Sequence, residues 1–293
     1  MKKISIGQYV ILLILTLFAL ACIIPLILVI IASFSSEKSL NLNGFTFFPD
    51  EWSLDAWLYV LGYGKQLVTS YGVTIFITLL GSVSSLFIVS MFAYALARKT
   101  FVLRSFLSTM LLITMLFGGG QLSSYLVNTT MYHLTDTFLV LWMPTVATMH
   151  VIIIRTYIQT NITDSVIESA KIDGAGEFRI YAQIVMPLLP PVLATVGFML
   201  VNAYWNAWQD AMLYIRTLSK TPLQLLLMRI EKDIEMINNQ NVPAGYAALL
   251  AETLPEKAAR MAMLLTVLGP VLIAYPFFQK YFIKGMTVGA VKG

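Results

Sequence analysis

Long apolar stretches alternate along the chain with short polar segments, and charged residues mark their ends. Six intervals of 18 or more residues contain no charged side chain, and the shortest of them, between Asp136 and Arg155, is 18 residues long. A helix needs about 20 mostly apolar residues to cross a bilayer, where a charge costs about 2.5–3.5 kcal/mol. The pattern therefore predicts six membrane-spanning helices, near residues 9–32, 69–96, 104–124, 137–158, 188–213 and 262–284.

These six helices predict an all-α polytopic membrane protein with a single transmembrane domain over residues 1–293. A membrane β-barrel is disfavoured, because its strands are short segments of alternating polarity. A signal peptide is the alternative for the first run, but its apolar part has about 7–15 residues. The run from Tyr9 to Ala32 has 24 residues, which favours a retained helix. Three glycines at 118–120 are expected to break the third helix.

The composition agrees with a membrane protein. Apolar residues make up 58% of the chain and charged residues 12%, whereas soluble domains have about 45–50% and about 25%. An ordinary soluble domain and a disordered chain are therefore excluded. The net charge of +4 is too small and too dispersed to indicate nucleic-acid binding. Cys22 is the only cysteine, so an internal disulfide is impossible.

Lysine and arginine predict how the chain is oriented, because short cytoplasmic loops are enriched in both. Eleven of the nineteen basic residues fall in the two termini and in the loops after the second and fourth predicted helices. Both termini are therefore predicted to be cytoplasmic in a multi-pass plasma-membrane protein. Residues 159–187 then form an internal loop, and residues 33–68 and 214–261 form external ones.

The sequence contains no arrangement that indicates catalysis. His133 and His150 lack a companion at i+3 or i+4 that could complete a metal site. A Ser-His-Asp set, a paired-carboxylate site and a Walker A motif are also missing from the sequence. We therefore expect no metal or cofactor on this chain, and if it transports actively, a partner must hydrolyse the ATP.

The near absence of charge inside the predicted spans bears on how transport is driven. Ion-coupled carriers usually hold ionisable residues within their helices. Here Asp210 lies only near the outer end of the fifth predicted helix. An ion-coupled secondary transporter is therefore the less favoured alternative, and a membrane scaffold without a transport role is a third.

The internal loop 159–187 is the only polar inner segment long enough to hold a docking element. A helix is expected to begin near Asp164, whose carboxylate suits the positive end of a helix dipole. Val166 and Ala170 are four residues apart and are expected to share a face, and Gly174 permits a turn. A helix–glycine–helix elbow suits a groove on a soluble partner; the alternative is a solvated amphipathic loop.

The same loop resembles the EAA motif of ABC importer permeases. That motif reads E-A-A, three residues, G, nine residues, I-x-L-P, and here the matching residues are Glu168-Ser169-Ala170, Gly174 and Ile184-Val185-Met186-Pro187. Ser169 and Met186 are mild departures. The resemblance assigns ATPase coupling to Glu168, Ser169, Ala170, Asp173, Gly174, Ala175, Phe178, Ile184 and Pro187.

Other segments extend this resemblance to the carbohydrate-uptake group, closest to the maltose-permease-like second subunit of Gram-positive oligosaccharide and polysaccharide importers. They are the run around Asn206, residues 222–224 and the tail from Gln279. The resemblance implies that the chain forms a heterodimer with a second homologous permease subunit and that both are surrounded by membrane lipid. It also implies a cytoplasmic ABC ATPase dimer that binds ATP and magnesium, an extracellular substrate-binding (lipo)protein and a carbohydrate substrate.

The C-terminal tail is a second expected contact. In related permeases the tail reaches between the ATPase subunits, and glycines would suit a tight extended tail. A frayed terminus is the alternative. The residues assigned to this contact are Gly289, Lys292 and Gly293.

Polar and aromatic residues cluster in the outer half of the fifth predicted helix. Sugars have apolar faces and polar rims, so aromatic rings and amide side chains are suited to bind them. Asn202, Asn206 and Gln209 follow one helical stripe, and uncharged polar groups in a span usually face protein or a water-filled cavity. The predicted path residues are Asn202, Tyr204, Trp205, Asn206, Trp208 and Gln209; helix packing and an interfacial aromatic belt are the alternative.

Overall fold

The computed structural model describes residues 6–239 and 255–290, and every regular element in this part of the chain is a helix. The all-α prediction is therefore confirmed. In chain order the helices are α1 (Ile6–Ser33), α2 (Glu37–Asn43), α3 (Asp55–Gly62), α4 (Gly64–Ala97), α5 (Arg104–Leu116), α6 (Gly120–Leu126), α7 (Leu139–Trp142), α8 (Thr148–Asn161), α9 (Asp164–Ile172), α10 (Glu177–Ile180), α11 (Pro190–Trp205), α12 (Trp208–Tyr214), α13 (Leu223–Asn239) and α14 (Glu256–Ala290). Wider π turns extend α6 to Met131 and α10 to Val185.

Three helices in the described ranges are long and apolar enough to cross a membrane individually, within α1, α4 and α14. Two bent pairs raise the number to five if each pair is one span. The first joins residues 104–116 to 120–131 at 113°, and the second joins 177–188 to 190–205 at 85°. The chain is a multi-pass membrane protein, and the sixth span stays a prediction.

The helix predicted over residues 137–158 is wrong as a continuous element. It is divided into α7 and α8 by the extended segment 143–147. Pro144 lies in this segment, and proline has no N–H for a helical hydrogen bond. Charge spacing could not show the break, because it detects only the length of an apolar run.

Other boundaries also differ from the prediction. The fifth predicted helix ends at Trp205 and resumes at Trp208, so that Asn206 and Ala207 separate α11 from α12. The last helix is longer than predicted, from Glu256 to Ala290. The glycine break is confirmed: α5 ends at Leu116, and Gly120 has a positive φ of 76°.

The chain divides into two compact units, residues 1–67 with 227–270 and residues 68–226 with 271–293. In the first unit the Glu37 carboxylate accepts hydrogen bonds from the backbone N–H groups of Lys257, at 3.0 Å, and Ala258, at 3.2 Å. A carboxylate there stabilises the first turn of α14, where four N–H groups lack helical partners. The single transmembrane domain stays a prediction.

The second unit has its main apolar core between α4, α8, α9, α10 and α11. Val89, Ile154, Ile180 and Val196 are fully buried in it. Burial of a large aliphatic side chain stabilises a fold by about 1.5–3 kcal/mol where water is the alternative. The cluster holds the segment 164–185 against the end of α4, which positions the first candidate site.

A polar contact fixes the turn before α7 in the same unit. The Asp136 carboxylate accepts hydrogen bonds from the backbone N–H groups of Arg216, at 3.1 Å, and Thr217, at 3.0 Å. The Thr217 hydroxyl also donates to it at 2.6 Å, and Lys220 Nζ lies 3.2 Å away. Hydrogen bonds from Thr217, ahead of the smaller contribution from Lys220, hold the pKa of Asp136 well below its usual range.

Candidate coupling elbow and substrate path

The elbow, residues 164–185, consists of α9, a turn at 173–176, and α10 with its π turn. Gly174 has a φ of 78°, in the left-handed region that favours glycine. Its N–H donates to the Lys171 carbonyl at 3.0 Å, and the Ala175 N–H donates to the Ala170 carbonyl at 2.9 Å. These two bonds form a Schellman motif, which ends a helix with its last carbonyls satisfied.

Gly174 is required by backbone conformation and not by crowding. A Cβ atom built on it would meet no atom within 4 Å. The glycine of the motif therefore has a local physical reason: it ends α9 and reverses the chain into α10. The sequence interpretation of this position as a turn agrees with the structure.

One face of α9 packs on the protein and the other is exposed. Ile167 and Ala170 are buried in the core cluster, whereas Ile172 is 86% exposed. Val166 lies one helical turn before Ala170 on α9, but its side chain is 44% exposed. The core contacts of Ile167 and Ala170, three residues apart, decide which side of this nine-residue helix is buried.

The motif residues divide into two groups by exposure. Three pack at or against the core and hold the elbow in place: Ala170, Ala175 and Ile184. Six are exposed: Glu168, Ser169, Asp173, Gly174, Phe178 and Pro187. Glu168 has no hydrogen-bond or ion-pair partner among the residues that the structure describes, so its carboxylate is available to another protein.

Basic residues after α4 contact the start of α9. Lys99 Nζ donates to Asp164 Oδ2 at 2.9 Å, and Arg98 Nη1 lies 3.9 Å from Asp164 Oδ1. The hydrogen bond from Lys99, with the positive charge it carries, lowers the pKa of Asp164. Sequence analysis used these two basic residues only for orientation, and their pairing with Asp164 was not predictable from spacing.

A second polar contact joins α4 to both arms of the elbow. Lys171 Nζ is 2.6 Å from Glu177 Oε1, and the Tyr94 hydroxyl donates to Glu177 Oε2 at 2.6 Å. Behind it, the hydroxyls of Ser90 and Tyr181 lie 2.7 Å apart and are buried. Glu177 was not among the predicted site residues, although it is one of four acids in the loop.

A cavity of about 640 Å³ opens beside this contact. Its walls come from the end of α4, the following turn and α10, and they are mainly apolar. Arg98 and Glu177 supply charges to the lining, and Arg98 is buried. The cavity adjoins the exposed face of the elbow through Phe178.

Two predicted path residues lie in the helix packing of the subunit, and their contact with substrate stays a prediction. Tyr204 and Trp205 are buried. The Tyr204 hydroxyl donates to the Met143 carbonyl at 2.9 Å and lies 2.8 Å from Ser85 Oγ, which accepts from the Thr145 N–H at 2.8 Å. Tyr204 thus satisfies backbone groups freed where the helix is broken, which is how irregular backbone is tolerated inside a membrane protein.

The amide residues of the predicted path remain at the surface of the subunit. Asn202, Asn206 and Gln209 are exposed, and Trp208 is half-buried. Asn206 Nδ2 donates to Asn202 Oδ1 at 2.6 Å, and Gln224 Nε2 donates to Asn206 Oδ1. The structure therefore adds Gln224, 18 residues further along the chain, to the cluster.

The predicted tail contact falls mostly beyond the described ranges. Gly289 lies within α14, so the expected extended backbone at this glycine is wrong. Lys292 and Gly293 lie outside the described residues. Their predicted contact with an ATPase stays a prediction.

Several relatives match more than nine tenths of the chain. The polygalacturonan/rhamnogalacturonan transport system permease protein YtcP of Bacillus subtilis (strain 168) is 35% identical, over 95% of this chain and 96% of YtcP. Protein LplC of the same strain is 34% identical, over 92% of this chain and 90% of LplC. The arabinooligosaccharides transport system permease protein AraQ of Halalkalibacterium halodurans is 29% identical, over 94% of this chain and 93% of AraQ. No family model matches the sequence.

A solved structure shares the fold as well. It is described as the crystal structure of a bacterial ABC transporter involved in the import of the acidic polysaccharide alginate. One of its chains matches with a TM-score of 0.77 and 29% identity, over 96% of this chain and 100% of that one. The fold is all-helical and membrane-spanning, and the chain is 35% identical to YtcP over nearly its full length. The chain therefore belongs to the non-catalytic permease subunits of carbohydrate ABC importers.

Proposed function

We propose that this permease forms one half of a carbohydrate pathway and is driven by an ATPase that docks on the elbow. The observation that carries the proposal is the two-sided elbow: Ile167 and Ala170 fasten it to the core, while Glu168 and Ile172 are exposed. A segment that is anchored to the core on one side and exposed on the other can transmit the movement of a bound partner to the membrane helices.

The exposed side of the elbow has the chemistry of a docking surface. Ile172 and Phe178 are 86% and 66% exposed, and the exposed carboxylate of Glu168 lies on the same short helix as Ile172. Interface centres combine apolar anchors with a few polar groups that fix the register. We assign this surface to the groove of a cytoplasmic ABC ATPase, with Glu168 as its polar anchor.

The remaining assembly follows from the same assignment. A second, homologous permease subunit completes the pathway, two ATPase copies bind on the cytoplasmic side, and an extracellular binding protein delivers the sugar. Both termini are cytoplasmic in this arrangement. The support is the concentration of lysine and arginine in the termini and in the loops that carry Lys99 and Lys171.

Substitution of the exposed elbow residue tests the docking surface. Ile172→Asp should reduce ATPase copurification under mild detergent by about tenfold, because a buried unpaired charge at an interface costs several kcal/mol. Leu42→Asp is the matched control, since Leu42 is 73% exposed but lies in the predicted external segment. Partners are identified by mass.

Two outcomes would contradict the docking assignment. Equal ATPase recovery with Ile172→Asp and Leu42→Asp would show that the ATPase binds at a surface other than the elbow. Sugar uptake into liposomes that contain no ATPase would favour the ion-coupled alternative.

We further propose that Asn202, Asn206 and Gln224 line the sugar path, together with Gln209 and Trp208. Their amides form an exposed polar cluster at the break between α11 and α12. The substrate class is oligosaccharide or polysaccharide fragments. The names of YtcP and the alginate importer make fragments of acidic polysaccharides the first probes, and AraQ supplies arabino-oligosaccharides as the neutral comparison.

Asn206→Ala should raise the KM for uptake of oligogalacturonide or arabino-oligosaccharide probes about fivefold to tenfold. It removes an amide that also orders Asn202 and Gln224, and hydrogen bonds contribute about 0.5–1.5 kcal/mol each. Ser219→Ala, at an exposed position outside the cluster, is the control. Unchanged uptake kinetics with Asn206→Ala would remove the amide cluster from the path.

A further inference from the structure

The end of α4 is connected by side chains to both arms of the elbow. Asp164, the first residue of α9, contacts Lys99 just after α4. Glu177, the first residue of α10, accepts a hydrogen bond from Tyr94 within α4.

Glu177 is the point where three elements meet. One carboxylate oxygen is 2.6 Å from Lys171 Nζ in the last turn of α9, and the other is 2.6 Å from the Tyr94 hydroxyl. Tyr94 is 6% exposed, so its ring is held in place by packing and its hydroxyl is directed at Glu177. A short hydrogen bond to a carboxylate is stronger and more directional than one between neutral groups.

The same helix reaches the break near the candidate path. Gly81 and Ser85, nine and five residues before Ser90, adjoin Tyr204, which is two residues from Asn202 and from Asn206. Farther along α4, the Thr74 hydroxyl accepts a hydrogen bond from the Leu223 N–H at 2.8 Å, next to Gln224. A displacement of α4 along its axis would therefore shift the backbone that carries the amide cluster.

We propose that Tyr94 and Glu177 are positioning residues for coupling. Their hydrogen bond attaches the elbow to α4, so that a displacement of the elbow by the ATPase also displaces α4. This inference rests on the proposed docking of an ATPase at the elbow. Glu177 acts through Tyr94 and Lys171 and touches no substrate. Lys99 and Asp164 form the outer, more exposed member of the same attachment.

The test uses the full chain in its copurified assembly, with Cys22→Ser so that spin labels can be placed at chosen cysteines. One label replaces Ala182, which is exposed on the second arm of the elbow and lies outside the proposed docking surface. The other label replaces Val83, which is exposed on α4. Distance distributions are measured without nucleotide and with ATP and vanadate.

With Tyr94 and Glu177 intact, the label distance should stay in one narrow distribution in both states. In Tyr94→Phe and Glu177→Gln, the population with a displaced elbow in the vanadate state should rise about tenfold, the loss expected for a hydrogen bond to a charged group. The double variant should add little to either single one, because both remove the same contact. Gln183→Ala is the control, since Gln183 accepts a hydrogen bond from Arg179 on the same arm.

The outcomes separate this inference from the proposed function. An assembly without copurified ATPase contradicts the docking itself. ATPase that copurifies and traps vanadate, together with an unchanged label distance in both variants, overturns the role of Tyr94 and Glu177. A distance change in Gln183→Ala equal to theirs would overturn it as well, because the effect would then be general loosening of the elbow.

Discussion

At the scale of single residues, glycines and hydroxyls decide the local geometry of this permease. Gly174 supplies a positive φ that ends α9, and Tyr204 satisfies backbone groups at the helix break. The sequence interpretation succeeded for Gly174, because its conformational role is local and visible in spacing. It did not anticipate the packing role of Tyr204, because an aromatic residue with a hydroxyl is equally suited to bind a sugar and to pack against neighbouring helices.

Gly174→Ala tests the local role of the glycine. Alanine in the left-handed conformation costs about 1–2 kcal/mol, and no neighbouring atom would clash with its Cβ, so strain in the turn is the only cost. We expect about fivefold less copurified ATPase. Gly176→Ala is the matched control, because Gly176 has a φ of −70° and equal space. Equal losses in the two variants would contradict a conformational role for Gly174.

At the scale of elements, α4 and α11 are fitted to each other around one close approach. A Cβ atom on Gly81 would lie 2.5 Å from Tyr204 Cε1, a distance that real Cβ contacts do not show. The ring of Tyr204 therefore occupies the space that a side chain on Gly81 would need. Charge spacing predicted both helices but could not predict which of their residues meet.

Gly81→Ala should destabilise the subunit in detergent, because overpacking costs about 1–3 kcal/mol and would displace the Tyr204 hydroxyl from Met143 and Ser85. Gly72→Ala is the matched control on the same helix, where a Cβ meets no atom within 4 Å. Thermal stability is followed by loss of the monodisperse peak after heating. A decrease with Gly72→Ala as large as with Gly81→Ala would contradict the close approach.

At the scale of the whole molecule, charge placement organises the chain. The 12% of charged residues lie largely outside the apolar runs, and those near the elbow form specific pairs: Lys99 with Asp164, and Lys171 with Glu177. Because so few charges are present, concentrating them beside one loop marks that loop as different from the lipid-facing surface. The spacing of charged residues along the sequence identified the loop as a candidate site. The folded chain showed which of these charges form ion pairs within the subunit.

The sequence alone determined the helical membrane class, the apolar runs and the elbow, since each depends on residues that are neighbours along the chain. Hydrocarbon excludes charge over a fixed length, and glycine ends a helix through its own backbone. Only the tertiary structure decided the burial of Tyr204 and Trp205 and the bond between Tyr94 and Glu177. Those features depend on groups far apart in sequence, whose meeting is set by packing that no local pattern encodes.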